Sequence, residues 1–90
     1  MNLEKIYNTL YDSIRLILGN ENIQIHPDSK LIEELGLESI DFIDLIFETE
    51  KNLSIQIDID LFSKEIMKKN VGRYLQVTVK DLAEFICQKK

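Results

Sequence analysis

The sequence predicts a small all-α bundle of three main helices plus a shorter helix. Apolar residues recur at three- and four-residue steps along most of the 90-residue chain, which is the spacing of one face of an α-helix. Hydrophobic residues make up 44% of the chain and charged residues 30%, a balance typical of a globular protein. A chain of this length suffices for one small domain, which we expect to span residues 1–90.

The first helix is predicted over residues 3–18. Its apolar face consists of residues at helical spacing: Leu3, Ile6, Tyr7, Leu10, Ile14, Ile17 and Leu18. Gly19 follows, and glycine suits the left-handed position that commonly ends a helix. A long loop then leads to Glu38. We expect this loop to be packed on the core by its own apolar anchors, which are Ile23, Ile25, Leu31 and Leu35.

The second helix is predicted from about Ser39 to Asn52. Winding it at about 100° per residue separates its side chains into three sectors. The core sector contains Phe42, Leu45, Ile46, Thr49 and Leu53. The acidic sector contains Asp41, Asp44 and Glu48. The third sector, which points away from the core, contains Ile40, Ile43 and Phe47. A small domain rarely needs such a third sector for its own burial, so we expect another protein to dock on it.

Two further helices complete the predicted bundle. A shorter third helix is predicted from the spacing of Leu61, Phe62, Glu65 and Ile66, and it should end near residues 70–72. Thr78 and Asp81 have the spacing of a helix-capping pair, which predicts the start of the last helix. The apolar face of that helix consists of Val79, Leu82, Phe85 and Ile86.

Charge and composition exclude several classes of protein. The formal net charge of -5 argues against a nucleic-acid-binding protein and favours partners with basic surfaces. No apolar run approaches the roughly 20 residues that a membrane span needs. Charged residues in the first turns argue against a signal peptide. The single cysteine, Cys87, excludes an internal disulfide, and we expect it to be partly buried. We therefore expect a cytoplasmic, monomeric protein.

The chain offers no convincing catalytic or metal-ligating set. His26 has no second histidine or cysteine nearby. Asp58 and Asp60 begin like a calcium loop, but Ser63 stands at the sixth position, which needs glycine, and Lys69 at the twelfth, which needs glutamate. No Ser-His-Asp or Cys-His set has plausible supporting residues. We expect a protein that is not an enzyme by itself.

Ser39 is the strongest candidate for a modified residue. The start of a helix is a natural seat for a phosphate, because unpaired backbone N–H groups and the positive end of the helix dipole meet there. The ordinary alternative is that Ser39 caps the helix, which is the commonest role of a serine at such a place. A capping box is not expected there, because the residue three places on is Phe42.

Three ordered motifs resemble those of the acyl carrier proteins, or more broadly of the phosphopantetheine-binding carrier domains. The sharpest is Leu35-Gly36-Leu37-Glu38-Ser39-Ile40, which is similar to the family's Leu-Gly-x-Asp-Ser-Leu signature. Ile25-x-Pro27-x-Ser29-x-Leu31 is similar to the family's approach to that signature. Val77-Thr78-Val79-x-Asp81-Leu82 is similar to its opening of the last helix. The predicted order of helices is also that of an acyl-carrier-like bundle.

The resemblance implies a carrier function. Ser39 would receive 4′-phosphopantetheine from coenzyme A through a phosphopantetheinyl transferase. The arm would hold acyl intermediates as thioesters and present them to enzymes of fatty-acid, lipid or polyketide biosynthesis. The other implied partners are an acyl-loading ligase or synthase and acyltransferases with basic docking surfaces. The expected partner-binding residues are Glu38, Ile40, Asp41, Ile43, Asp44, Phe47 and Glu48.

The chain departs from the family pattern at two places. Glu38 stands where the family usually has aspartate. Residues 58–77 form a longer segment than in ordinary fatty-acid carriers, which predicts either a longer third helix or an enlarged lip over an interior cavity. This combination resembles specialised carriers, such as the long-chain acyl carrier of lipid A assembly. The alternatives are an aminoacyl (D-alanyl or peptidyl) carrier and a helical interaction module that is never modified.

Overall fold

Within the residues that it describes, a computed structural model gives the protein four helices: α1 (Leu3–Leu18), α2 (Ser39–Leu53), α3 (Ile59–Asn70) and α4 (Val79–Gln88). It describes residues 2–70 and 76–88, with the backbone alone for Ser39 and residues 66–70. α1 packs against both α2 and α4. The described residues form no β-strand and a single isolated bridge. The all-α prediction and the predicted order of helices are confirmed.

Local signals define both ends of α1. At its start, the Asn2 side chain accepts a hydrogen bond from the backbone N–H of Lys5 at 2.8 Å, which satisfies one of the unpaired donors of the first turn. At its end, Gly19 adopts the left-handed conformation with φ +67°. The predicted bounds are therefore confirmed. Leu3 is 38% exposed, so the buried face of α1 begins at Ile6 rather than at Leu3.

The core is largely aliphatic and lies between the four helices and the long loop. The fully buried side chains of α1 and α2 include Ile6, Leu10, Ile14, Leu45 and Ile46. Phenylalanines join the remaining helices. Phe62 of α3 stacks on Phe42 of α2 with ring centroids 5.8 Å apart, and it meets the ring of Phe85 of α4 edge-on at 5.0 Å.

The long loop between α1 and α2 is packed, as predicted. Its buried anchors are Ile25, Leu31, Leu35 and Leu37, and Ile23 is half-buried. The loop is also joined to the start of α4 by backbone hydrogen bonds. The N–H of Leu31 donates to the Val77 carbonyl at 2.9 Å, and the N–H of Val79 donates to the Ser29 carbonyl at 3.0 Å. An antiparallel bridge between Lys30 and Thr78 results.

The third segment forms a regular helix. α3 has 12 residues and α4 has 10, so the prediction that the third helix is the shorter one was wrong. Asp58 precedes α3, and its carboxylate accepts the backbone N–H of Leu61 at 3.0 Å, as an N-cap residue does. The predicted lip over an interior cavity falls partly on residues 71–75, which lie outside the described residues.

The structure tests two expectations that came from composition, the burial of Cys87 and the lack of a membrane-spanning helix. Cys87 is exposed, which corrects the expectation of a partly buried thiol. It follows the buried Ile86 by one residue, so it lies about 100° further round α4, away from the core. Over residues 2–70 and 76–88, no helix is both long and apolar enough to cross a membrane.

Candidate functional site

The site lies at the start of α2. Ser39 is the first residue of this helix, and Glu38 occupies the N-cap position with the extended backbone angles φ -90° and ψ 171°. The alternative in which Ser39 caps the helix is therefore wrong. The backbone of Glu38 already leaves the helix, so Ser39 is the first residue with helical geometry.

The first turn of α2 is closed by an acidic residue. The backbone N–H of Glu38 donates to Oδ2 of Asp41 at 3.1 Å, and the N–H of Phe42 donates to the Glu38 carbonyl at 3.0 Å. No capping box starts at Ser39 itself, but one starts a residue earlier, at Glu38, and has Asp41 as its partner. The signal was hard to read because glutamate is rarely an N-cap residue.

The backbone that approaches Ser39 is held against the loop. Gly36 has φ +79°, a conformation that residues with a Cβ rarely adopt. Its N–H donates to the Ile32 carbonyl at 3.1 Å, and the N–H of Leu37 donates to the Leu31 carbonyl at 3.1 Å. The Leu37 side chain is buried. Consecutive hydrogen bonds therefore fix the chain through Gly36, Leu37 and Glu38.

This arrangement suits an anionic group. The backbone N–H groups of Ser39 and Ile40 have no carbonyl one turn before them to bond to, so they are available to an oxygen acceptor. The dipole of the 15-residue α2 favours negative charge at the same end. An exposed anion there typically gains about 0.3–1 kcal/mol. The start of α2 therefore fits a phosphodiester on its first residue.

An exposed apolar stripe runs along the helix that Ser39 begins. It consists of Ile40, Ile43 and Phe47, whose exposed fractions are 67%, 44% and 58%. The core sector of α2 is buried at Leu45, Ile46, Thr49 and Leu53, while Phe42 is half-buried against Phe62. The division of α2 into an inner and an outer apolar face is confirmed.

The acidic side chains of α2 and of the loop before it divide into two groups. Two of them, Asp44 and Glu48, form no hydrogen bond or ion pair with any described residue and lie beside the apolar stripe. Others bond to the protein itself. Asp41 closes the first turn of α2, and Glu33 accepts a hydrogen bond from the Gln76 side chain at 3.2 Å. The structure thus separates charges available to a partner from charges used in the fold.

Glu50 has a structural role that the sequence did not reveal. Its carboxylate accepts the backbone N–H of Ile57 at 2.7 Å and so ties the end of α2 to the chain that enters α3. A seven-residue separation has no local signature, so only the turn between the helices brings the two groups together. Asp58 was also missed, although an aspartate immediately before a helix is a recognisable capping signal.

The residues expected to bind a partner belong to one helix and its cap, so the structure brings them together along α2. His26 and Cys87 lie on other elements and are both exposed. Within the described ranges, no group of three or more His, Cys, Asp or Glu side chains is arranged to hold a metal ion.

Comparison with known proteins gives consistent matches. The sequence model of the phosphopantetheine attachment site family matches residues 8–86. The chain is 30% identical over 66 residues to the acyl carrier protein AcpXL of Rhizobium etli, covering 73% of this chain and 72% of that protein. It is 32% identical over 68 residues to the acyl carrier protein of Karelsulcia muelleri, covering 76% of this chain and 82% of that protein.

A third relative is the acyl carrier protein of Chloroherpeton thalassium, which is 37% identical over 57 residues, covering 63% of this chain and 71% of that protein. The matched family implies a covalently attached 4′-phosphopantetheine as the cofactor, and the start of α2 fits such a group. The chain belongs to the phosphopantetheine-binding acyl carrier protein family.

Proposed function

We propose that Ser39 is the residue that carries 4′-phosphopantetheine. One observation carries the proposal: Ser39 is the first residue of α2, at the helix end that suits a phosphodiester. It also occupies the serine of the segment Leu35–Ile40, which resembles the attachment signature of the family that the chain matches.

The attachment reaction requires little chemistry from the protein. The Ser39 hydroxyl oxygen forms a bond to the phosphorus of coenzyme A that bears the pantetheine. The pyrophosphate bond breaks, adenosine 3′,5′-bisphosphate leaves, and the serine proton passes to a base of the transferase. This chain presents the hydroxyl and stabilises the resulting negative charge at the start of α2.

The terminal thiol of the attached arm supplies the acyl-binding chemistry, since it forms a thioester with the cargo. The protein acts as a cosubstrate of partner enzymes and does not catalyse a reaction itself. We propose that it is a single domain working in the cytoplasm with a phosphopantetheinyl transferase, an acyl-loading ligase or synthase, and acyltransferases.

The apolar stripe and its neighbouring acids form the proposed partner surface. Ile40, Ile43 and Phe47 offer exposed apolar area next to the attachment residue, while Asp44 and Glu48 supply charges with no bond to the described protein. A basic partner with an apolar groove would complement both features. Glu38 and Asp41 extend the negative surface to the first turn of α2.

The cargo is proposed to be an acyl group. The matched relatives include proteins named simply acyl carrier protein and proteins named AcpXL, so the general acyl class has more support than any single pathway. Within that class, we favour a specialised long-chain carrier because of the extended segment over residues 58–77. The core of the protein is largely aliphatic and so is compatible with an aliphatic cargo, which gains about 0.8 kcal/mol for each methylene that it buries.

Intact-mass measurement tests the attachment. After incubation with coenzyme A and a phosphopantetheinyl transferase, the protein should gain the mass of one phosphopantetheinyl group. Ser39→Ala should show no gain. Ser54→Gly is the matched control, because Ser54 is exposed at the opposite end of α2 and its left-handed backbone accepts glycine. A gain that persists in Ser39→Ala would overturn the assignment.

The same experiment distinguishes the other readings of the sequence. No mass gain in the wild-type protein, under conditions where a known carrier is fully loaded, would favour a helical interaction module that is never modified. If the arm is attached, incubation with acyl-activating and aminoacyl-activating ligases separates the two carrier types. Loading with an amino acid but with no fatty acyl group would overturn the acyl assignment.

A further inference from the structure

We propose that Asp41 is a positioning residue for the attachment reaction. Its carboxylate acts through the first turn of α2, which it holds closed around Ser39, in addition to any charge it offers to a partner. This inference rests on the proposed attachment at Ser39. It concerns how the chain presents that residue to the transferase.

The hydrogen bond of Asp41 lies next to the reacting residue in the chain. Oδ2 of Asp41 accepts the N–H of Glu38 at 3.1 Å, and Glu38 immediately precedes Ser39. The carboxylate and the N-cap residue therefore bracket the attachment residue on both sides. A bond of this kind fixes the angle at which the chain enters the helix, because it joins the N-cap backbone to the third helical residue.

The bond completes a series that orders the chain before Ser39. Gly36 and Leu37 donate to carbonyls of the loop at 3.1 Å each, and Glu38 donates to Asp41. Glu38 is exposed, so no burial of its own side chain holds it in place. Two bonds join Glu38 to the helix, the backbone bond from the Phe42 N–H to its carbonyl at 3.0 Å and the Asp41 bond, and the Asp41 bond is the link that a side chain supplies.

Loss of this link should affect the start of α2 more than the rest of the fold. Helix ends open at low free-energy cost, so a single cap bond has a large influence on how often the first turn is formed. Losing one cap hydrogen bond typically changes the equilibrium between the formed and the open first turn by about fivefold. The transferase needs the ordered turn to reach the serine, so its maximal rate should fall with the population of that turn.

The chain contains a matched control. At α4, the backbone N–H of Thr78 donates to Oδ2 of Asp81, also at 3.1 Å and also three residues apart. Asp81→Ala removes the same type of bond from a helix that does not contain Ser39. It should lower stability without changing the presentation of Ser39.

The experiment measures single-turnover attachment with the transferase in excess over the full-length carrier. The maximal rate and the half-saturating transferase concentration are determined for wild type, Asp41→Ala, Asp41→Asn and Asp81→Ala. We expect Asp41→Ala to lower the maximal rate by about two- to fivefold. Asp41→Asn keeps an acceptor oxygen and should restore the maximal rate, while its lost charge raises the half-saturating concentration. Asp81→Ala should retain the wild-type maximal rate.

Amide hydrogen exchange provides a readout that does not depend on attachment. The Glu38 amide should be protected in wild type and Asp41→Asn, and it should exchange several-fold faster in Asp41→Ala. Equal maximal rates for Asp41→Ala and Asp81→Ala would overturn the positioning role while leaving the proposed attachment intact. Absence of any attachment to the wild-type protein would instead overturn the proposed function.

Discussion

The Glu50 carboxylate accepts the backbone N–H of Ile57 at 2.7 Å. Glu50 is half-buried near the end of α2, and Ile57 is buried just before α3. The bond therefore fixes the turn that sets α3 beside the helix bearing Ser39. Glu50, which lies on the same helix as the acidic sector, thus contributes to the fold.

Replacing Glu50 should lower the stability of the protein. Glu50→Ala leaves the Ile57 N–H without its acceptor, which should reduce the free energy of unfolding by about 1–3 kcal/mol. Urea unfolding followed by circular dichroism measures this change. Glu48→Ala is the control, because Glu48 forms no such bond in the described part of the chain. An equal loss in both variants would contradict the structural role of Glu50.

The buried aromatic core and the exposed apolar stripe of α2 should respond differently to truncation. Phe62 is 1% exposed and contacts both Phe42 and Phe85, so Phe62→Ala should reduce the free energy of unfolding by about 3–5 kcal/mol. Phe47 is 58% exposed, so Phe47→Ala should change that free energy by no more than about 0.5 kcal/mol. Chemical denaturation of both variants makes the comparison.

Phe47→Ala should affect binding of the transferase much more than it affects stability. If the apolar stripe docks partners, Phe47→Ala should raise the half-saturating transferase concentration by about fivefold or more, since a buried aromatic anchor commonly contributes over 1 kcal/mol to an interface. Single-turnover attachment kinetics measure this quantity. Wild-type kinetics for Phe47→Ala would remove the stripe from the transferase interface.

The unbonded acid Asp44 provides a test of electrostatic docking. Asp44→Lys should raise the half-saturating transferase concentration by about two- to fivefold, because an exposed ion pair contributes roughly 0.2–1 kcal/mol. The difference from wild type should shrink as salt is added, because salt screens exposed charges. Glu21→Lys makes the same charge change at an exposed position in the loop after α1 and is the control. Equal effects of the two variants would show that only net charge matters.

The structure could be predicted from the sequence wherever a local pattern of residues determines it. The apolar period and Gly19 define α1, and the Thr78–Asp81 pair marks the start of α4, where both expected hydrogen bonds are present at 3.1 Å. The apolar stripe of α2 followed from helix geometry alone. Each of these features depends on residues no more than a few turns apart.

Features that depend on distant residues or on unusual residue types were not predicted. The bridge between Lys30 and Thr78 joins segments that no short pattern connects. Glu38 replaces the usual short capping side chains, and Ser39 beside it has the higher capping preference, so residue statistics favour the wrong N-cap. The position of the attachment motif was recognisable, whereas the bonds that hold it required the folded chain.

Substitutions at Gly36 separate the stability of the protein from the presentation of Ser39. Gly36 and Gly19 both have positive φ, at +79° and +67°, and a Cβ added at either would meet no atom within 4 Å. Gly36→Ala and Gly19→Ala should therefore each cost about 1–2 kcal/mol through backbone strain rather than through a clash.

Only Gly36→Ala should also slow attachment. Gly36 lies three residues before Ser39, so strain there shifts the chain that enters α2, whereas Gly19 ends α1 far from it in sequence. Gly36→Asn should recover part of both losses, because asparagine tolerates the left-handed conformation better than alanine does. Urea unfolding and single-turnover attachment rates, measured on the same preparations, give the two quantities. If Gly19→Ala slows attachment as much as Gly36→Ala does, general destabilisation rather than the local turn controls how Ser39 is presented.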